Sequence, residues 1–208
     1  MGESRVIDHV KSEVEAAEAD LKDAFGTGIY SNGSTDPKSI AGTRAYLSTS
    51  ATYGGISQSS ESWLQAQIDS STTTLSLSKM QERYEACRIA NEAPDLITCT
   101  ETLFNSFWGL LQPQQRFQDS DTASAGFKNL LFNGAVVLQD DYCPSSNMQF
   151  HNTKYITLFS HKDRKFPGAY EDFRMFFDQD AEIAKLQWAG AMVCSSPRLQ
   201  GAMTALTA

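Results

Sequence analysis

The stretch FKNLLFNGAVVLQDD, from Phe127 to Asp141, carries the strongest turn signal in the chain. Asn133 and Gly134 stand between two apolar runs, LLF and AVVL. Both residue types tolerate the positive φ values that a two-residue hairpin turn requires, so the stretch predicts an antiparallel hairpin. The turn-forming residues CPSSN that follow, Cys143–Asn147, predict that the second strand ends at the acidic pair.

A helix and a strand are predicted upstream of this hairpin. Apolar side chains recur at helical spacing between about Thr74 and Asn91 and predict a helix with one buried stripe. The stripe consists of Leu77, Met80, Tyr84 and Cys87. Ser78 and Gln81, three positions apart, have the spacing of a capping box. The sequence DLITC, Asp95–Cys99, then predicts a short buried strand.

The segment TETLFNSFWGLL, Thr100–Leu111, predicts a second helix, which Pro113 stops. The apolar residues on one of its faces are Leu103, Phe107, Leu110 and Leu111. Two more short strands are predicted around Met148–Phe150 and Tyr155–Phe159. Helix, strand and helix in succession favour helices layered on a sheet, which is an α/β or α+β fold.

The N-terminal third divides into a helix and a long segment without periodicity. An amphipathic helix is predicted from about Arg5 to Phe25, ended by Gly26. The segment from Gly26 to Ser71 is rich in Gly, Ser and Thr and predicts loops, turns and short strands. Within it, Trp63 and Ile68 are the expected anchors into a core.

Near the C-terminus, AEIAKLQWAGAMVC, Ala181–Cys194, alternates over its whole length. One face of the predicted strand carries Ala184, Leu186, Trp188, Gly190, Met192 and Cys194. Lys185 and Gln187 face the other way. Period-two alternation over this length predicts one long strand with one face on the core.

The composition limits the classes of function. The chain of 208 residues is 41% hydrophobic and 11% aromatic, which is enough for a packed core. Its net charge is −8, and its one short basic cluster, His161–Phe166, is interrupted by an aspartate, so direct nucleic-acid binding is not expected. No apolar run is long enough to span a membrane, and the charged N-terminus lacks a signal sequence, so a cytoplasmic protein is expected.

One window, Asp140–His151, contains the residue types of metal sites and nucleophile dyads. Asp140 and Asp141 are adjacent and point to opposite faces of a strand unless the strand ends there, and no D-x-D-x-D pattern accompanies them. Cys143 and His151 form a dyad only if the turn folds them together, and nothing nearby in sequence activates the thiol. The four cysteines lack CxxC spacing and the histidines lack HxH or HExxH spacing, so buried thiols and no catalytic, metal or cofactor site are expected.

A longer string, LLQPQQRFQDSDTASAGFKNLLFNGAVVLQDDYCP (Leu110–Pro144), resembles the major capsid proteins of tailed bacteriophages, which have the Hong Kong-type capsid shell fold. Four other pieces resemble successive parts of that family, in the same order. They are VIDHVKSEVEAAEADLKDAFGTGIYSNG for the spine helix, YGGISQSSESWLQAQI for the glycine-rich tryptophan segment, PDLITCTETLFNSFWGLL for the axial-domain strand and helix, and DAEIAKLQWAGAMVCSSPRLQG for the closing long strand.

The resemblance implies an α+β fold, with a spine helix, a long peripheral strand and an axial domain of mixed sheet plus helices. Residues 1–72 would form the spine helix and a glycine-rich peripheral segment, and residues 73–155 the axial-type domain. Residues 156–208 would return to the peripheral domain with the long strand, all in one interleaved unit. The implied function is a non-enzymatic subunit of a bacteriophage or prophage icosahedral capsid.

The implied partners are copies of the chain itself, in pentamers and hexamers that enclose the genome. Scaffolding, portal or decoration proteins are further implied partners. The expected location is the virion, and the host cytoplasm during assembly. The expected interfaces are the exposed face of the long strand and the loop from Gln112 to Gly126. That loop contains Gln114, Gln115, Arg116 and Phe117.

The chain departs from the family pattern at its start. Family members carry an N-terminal arm and an extended loop before the spine helix, and this sequence begins almost at the helix. Because those parts tie neighbouring subunits together, a truncated form that folds but assembles shells poorly is expected. Two alternatives stay open: another phage structural or encapsulating-shell protein, and a hydrolase or metal-dependent enzyme using Asp140, Asp141, Cys143 and His151.

Overall fold

A computed structural model describes residues 3–34, 38–111, 130–165, 169–170, 174–175 and 182–207. Four helices lie in these ranges: α1 (Glu3–Ile29), α2 (Thr43–Tyr46), α3 (Leu77–Ala86) and α4 (Glu101–Leu111). The strands of the first part are β1 (Thr52–Tyr53), β2 (Ile56–Ser57), β3 (Gln67–Asp69), β4 (Thr73–Thr74), β5 (Leu96–Cys99), β6 (Leu130–Phe132), β7 (Ala135–Gln139) and β8 (Met148–His151). Those of the second part are β9 (Ile156–Ser160), β10 (Ala169–Tyr170), β11 (Arg174–Met175), β12 (Glu182–Ile183), β13 (Leu186–Gln187), β14 (Gly190–Cys194), β15 (Gly201–Met203) and β16 (Leu206–Thr207).

The predicted hairpin is present as β6 and β7. Asn133 and Gly134 connect the strands with φ values of 49° and 87°, the left-handed conformation that a two-residue turn needs. The register pairs Phe132 with Ala135 directly across the turn. The hairpin forms one edge of a six-stranded sheet with the order β3-β15-β8-β5-β7-β6.

The sheet is mixed, and its main core lies between one sheet face and the helices α3 and α4. β15 is parallel to β3 and β5 is parallel to β7, whereas the other neighbours are antiparallel. The core is centred on Phe107 of α4, which is fully buried and meets the Phe132 ring edge to face at 6.2 Å. Phe132 in turn meets the Tyr84 ring of α3 at 6.0 Å. These aromatic contacts join the hairpin to both helices, and the predicted apolar stripes of the two helices are confirmed.

The start of α3 differs from the predicted capping box. Ser76 is the N-cap residue, and its side chain accepts a hydrogen bond from the backbone N–H of Lys79 at 3.4 Å. Ser78 already lies inside the helix, so its assignment as the cap is wrong. Gln81 donates to Glu85 one turn later and does not reach back to the helix start.

Helix α1 continues past the glycine that was predicted to end it. It runs to Ile29, and Gly26 lies within its last turns. A Cβ at Gly26 would lie 2.6 Å from the Tyr142 ring, so the glycine provides room for close packing against that ring. The prediction failed because a tertiary contact, and not a turn, requires glycine here.

The segment from Gly26 to Ser71 contains short strands and turns as predicted, but one of its expected anchors is wrong. Trp63 is 57% exposed, and its indole N–H donates to Glu61. Ile68 packs at the edge of a second buried cluster. That cluster is centred on the fully buried Tyr46 and consists of Tyr46, Leu47, Ala66, Cys194 and Ala202. The buried Gln58 amide fixes the surrounding loop by donating to the Tyr46 carbonyl at 3.0 Å.

The long C-terminal strand is interrupted. Its sequence forms three short strands, and each pairs with a different partner: β14 with β9, β13 with β10, and β12 with β11. All three pairs are antiparallel, and we call the described strands of these pairs, β9 to β14, the ribbon. One break is a backbone excursion at residues 161–164, whose ends are joined by a bridge between His161 and Arg164. The prediction of a single continuous strand was therefore wrong, although each of the three pieces is an extended strand and all three pairs run antiparallel.

The described residues form an α+β fold. The six-stranded sheet takes β3 from the first predicted segment, β5 to β8 from the second, and β15 from the third. Strands from all three predicted segments therefore lie in one sheet. None of the helices in the described ranges is both long enough and apolar enough to cross a bilayer.

Candidate functional site

Asp140 lies at the end of β7 and is tied to the end of α1. Its Oδ2 accepts a hydrogen bond from the Tyr30 hydroxyl at 2.7 Å, across 110 positions of sequence. Its Oδ1 accepts from the backbone N–H of Tyr142 at 3.0 Å, which closes the turn after the strand. Burial raises the pKa of Tyr30 above its usual range, so the hydroxyl keeps its proton and remains a donor. Asp140 therefore joins the helix to the sheet, while Asp141 is exposed.

Cys143 is buried in the turn that follows. Its Sγ lies 3.6 Å from the Asn147 carbonyl oxygen, toward which the thiol donates. Burial raises the pKa of this thiol to about 12, so the nucleophilic thiolate is scarce at neutral pH. The geometry stabilises the turn and does not activate the sulfur.

His151 lies inside the protein, at the end of β8. It is 4% exposed, and its Nε2 is 3.5 Å from the Thr98 hydroxyl of the neighbouring strand β5. The buried Gln200 side chain lies close enough to interact with the imidazole. Burial lowers the pKa of this imidazole to about 4, so His151 is neutral at pH 7.

The four candidates thus separate into different roles. Asp140 and His151 line one cavity, Cys143 is buried in the turn, and Asp141 faces solvent. Within the described ranges, no group of three or more His, Cys, Asp and Glu side chains is placed to hold a metal ion. These contacts give the sequence window a structural explanation at each position.

A different feature, the outer part of the two-stranded ribbon, presents apolar side chains to solvent. Phe159 is 59% exposed and Leu158 is 45% exposed on β9. Val193 of β14, opposite Thr157, is 40% exposed. Further along the ribbon, Met175 is 74% exposed. Phe159 and Val193 lie on the same face of the β9–β14 pair, whereas Leu158 points to the other face with Met192, so we call Phe159 and Val193 the ribbon patch.

The root of the ribbon is fixed to the protein. Cross-strand partners Ile156 and Cys194 pack against the second buried cluster. The Trp188 ring, between β13 and β14, meets Phe25 of α1 edge to face at 5.1 Å. Gly190 allows this arrangement, because a Cβ there would lie 2.4 Å from the Trp188 ring. The ribbon patch is therefore held on an anchored element.

Apolar groups exposed together on a paired but uncovered ribbon are typical of surfaces that bind another protein. The sequence prediction included the face of the C-terminal strand but missed Leu158 and Phe159 on the partner strand. Alternating apolar residues in YITLFS indicate a strand, and they do not show which face is left uncovered. The other expected interface residues, Gln114, Gln115, Arg116 and Phe117, lie outside the described residues, as does Pro113.

Comparison with known proteins gives no match in sequence and clear matches in structure. No protein-family model and no curated protein matches the chain. A chain of the cyanophage A-1(L) capsid superposes with a TM-score of 0.71 at 18% identity, over 99% of this chain and 70% of that chain. A capsid chain of a native GTA particle gives 0.56 at 12% identity, over 99% of this chain and 66% of that chain. A capsid chain of an empty GTA particle gives 0.57 at 12% identity, over 99% and 67% respectively.

These similarities confirm the predicted fold. The chain has the Hong Kong-type capsid shell fold, and the match includes almost all of this chain and about two thirds of each solved capsid chain.

Proposed function

We propose that the chain is a structural subunit of a bacteriophage or prophage icosahedral capsid. Copies of it would associate into pentamers and hexamers around the packaged genome, without catalysis. The observation that carries the proposal is the ribbon patch, an uncovered apolar surface on an anchored ribbon, in a chain with a capsid fold. The same proposal places the protein in the virion, and in the host cytoplasm during assembly.

The proposed contact is between the ribbon patch of one copy and the surface of the next. Burying Phe159 and Val193 at such a contact would remove apolar surface from water at both residues, which is the main favourable term in association. A specific contact of ordinary size buries about 800 Å² on each partner, and one or two large apolar side chains near its centre usually dominate the affinity. The loop with Gln114, Gln115, Arg116 and Phe117 stays a second proposed contact. The division of the chain into three segments also stays a proposal, as does binding to scaffolding, portal or decoration proteins.

The charge of the chain disfavours tight binding to the genome. With a net charge of −8, an inner surface made of this chain would repel nucleic acid on average. Such repulsion fits a capsid shell that does not bind the packaged phosphate backbone tightly. Asp140 and Cys143 make the structural contacts described above and His151 is buried, so the proposal assigns these groups no catalysis.

Sedimentation velocity over a concentration series tests the proposal. We expect concentration-dependent association of the chain, and we expect Phe159→Ser to weaken it at least about tenfold, as for a central apolar residue of an interface. Ile89→Ser is the matched control, because Ile89 is 46% exposed and lies away from the ribbon. Equal association of the two variants would contradict the assignment of the ribbon patch.

A further inference from the structure

Helix α1 is held to the protein by its last turns, and most of its length is uncovered. At the held end, the Phe25 ring meets Trp188 and the Tyr142 hydroxyl donates a hydrogen bond to Asp23. Residues 9–24 are exposed, or half-exposed at three positions. We call residues 9–24 the free segment of α1, and at 1.5 Å per residue it is about 24 Å long.

The free segment has one apolar stripe. Val10, Val14, Ala17 and Leu21 recur at helical spacing and therefore lie on one face. Val10, toward the far end of the stripe, is 38% exposed. Most of the stability of a helix in a protein comes from the packing of its apolar face, so a stripe left in solvent indicates a partner.

The stripe is bordered by carboxylates. Helical spacing places Glu13 and Asp20 on one side of it and Glu18 on the other. Over the free segment, five carboxylates outnumber two lysines. Neither Glu18 nor Asp20 forms an ion pair in the part of the chain that the structure describes. The stripe therefore favours a partner with an apolar centre and positive charge beside it.

The ribbon of the same chain has this combination. The ribbon patch, Phe159 and Val193, is 59% and 40% exposed. Lys162 follows Phe159 by three positions, so their Cα atoms lie within about 11 Å of each other. Arg164 and Lys165 are two further exposed cations, and one aspartate lies among the three. None of these cations forms an ion pair within the described ranges.

We propose that the free segment of α1 in one copy binds the ribbon patch of another copy. Both surfaces are exposed in the single chain, so the pairing needs a second chain. The apolar stripe would cover Phe159 and Val193, and the carboxylates beside it would pair with the neighbouring cations. The inference rests on the proposed capsid function, and it names the surface that the ribbon patch meets.

The proposed contact joins two different surfaces of the chain. Each copy uses its helix for one neighbour and its ribbon for another, so the contact is heterologous. A heterologous contact that closes forms a ring, which suits pentamers and hexamers and not a two-fold dimer. The exposed charge pairs add little affinity singly, and as a set they orient the contact.

Charge reversal tests the pairing, because two reversed partners restore it. The helix variant is Glu18→Lys with Asp20→Lys, and the ribbon variant is Lys162→Glu with Lys165→Glu. In sedimentation velocity, each variant alone should associate at least about tenfold more weakly than the wild type, since like charges then meet. An equimolar mixture should recover the wild-type affinity to within about threefold, because every helix then has a ribbon of opposite charge.

Glu82→Lys with Glu85→Lys is the matched control for the helix variant. Both residues are exposed on α3, and the change in net charge is the same. Each of these double variants lowers the net negative charge of the chain, which by itself favours association. Weaker association in the helix variant but not in the control therefore identifies the contact and not the overall charge.

Hydrogen–deuterium exchange locates the contact without any variant. At concentrations at which the wild type is associated, amides in residues 9–24 and 157–165 should exchange more slowly than in the dilute chain.

The outcomes distinguish this inference from the proposed function. If the helix and ribbon variants associate as the control does, or if their mixture is no stronger than its components, the pairing is overturned and the capsid function stands. Slower exchange in the ribbon without a change in residues 9–24 also overturns the pairing, since another partner would then cover the stripe. A wild type that stays monomeric at every concentration would overturn both.

Discussion

Protonation of His151 should make the folded chain unstable in mild acid. The imidazole is 4% exposed, and burial lowers its pKa from an ordinary 6.5 to about 4. Asp95 is near enough to oppose this shift, but burial dominates. Below pH 6.5 His151 is protonated in the unfolded chain but stays neutral in the folded chain, so the free energy of unfolding decreases as the pH falls. The decrease begins near pH 6.5 and levels off below pH 4.

The magnitude follows from the two pKa values. Between pH 7 and pH 4.5, linkage gives a loss of about 2–3 kcal/mol in the free energy of unfolding from this one group. That is a large fraction of the 5–15 kcal/mol typical of a folded domain. His151→Gln carries no titrating group and lacks this contribution, while all other acid-sensitive groups are kept.

Urea unfolding of both proteins at pH 7 and pH 4.5 is the assay. The wild type should lose about 2–3 kcal/mol more than His151→Gln over this pH interval. An NMR titration of the imidazole in the folded chain should give a midpoint near pH 4. Equal pH dependence of the two proteins, or an NMR midpoint near 6.5, would refute the assignment of His151 as a buried neutral residue.

Three further predictions concern the elements that position the sheet. Gly134→Ala should lower the free energy of unfolding in urea by about 1 kcal/mol, because φ is 87° at this position and alanine tolerates that conformation poorly. Gly109→Ala in α4 should raise it by about 0.5–1 kcal/mol, since the added Cβ has open space at both positions and Gly109 is helical. A change of the same sign in both variants would contradict the assigned turn. Ser76→Ala should lower the free energy of unfolding in urea by about 1 kcal/mol, because the N-cap hydrogen bond is lost, and Ser78→Ala should lower it much less. The reverse order would show that Ser78 is the N-cap residue. Phe107→Ala should cost about 3–5 kcal/mol by thermal or urea unfolding, and a loss below 1 kcal/mol would mean that this ring is not central to the core.

Local signals were enough to predict several elements. The Asn133–Gly134 turn was predictable because few residue pairs tolerate its backbone conformation. The stripe on α3 was predictable because helical spacing places Met80 and Tyr84 on one face. The order of such pieces along the chain led to the fold.

Tertiary contacts account for the features that the sequence did not predict. Gly26 read as a helix end, yet the ring of Tyr142, 116 positions later, is what requires a glycine there. Trp63 looked like a core residue because large aromatic residues usually are, but it lies on the surface, and Tyr46 is the residue buried in that region. The alternation at Ala181–Cys194 correctly indicated the short strands at Glu182–Ile183, Leu186–Gln187 and Gly190–Cys194, but it did not show the excursion opposite them at residues 161–164.

The candidate site was the least predictable part. Asp140 and His151 line one cavity because β7 and β8 flank β5, which comes from an earlier part of the chain. The uncovered face of Phe159 depends on which side of the ribbon packs against Tyr46 and its neighbours. Neither relation is visible in residue spacing alone.

Cryo-electron microscopy of the particles that contain this chain tests the central claim most directly. We expect a shell in which copies of the chain surround five-fold and six-fold centres, with Phe159 and Val193 covered by a neighbouring copy. A map in which the chain is absent from the shell, or in which the ribbon patch faces solvent in every copy, would contradict it.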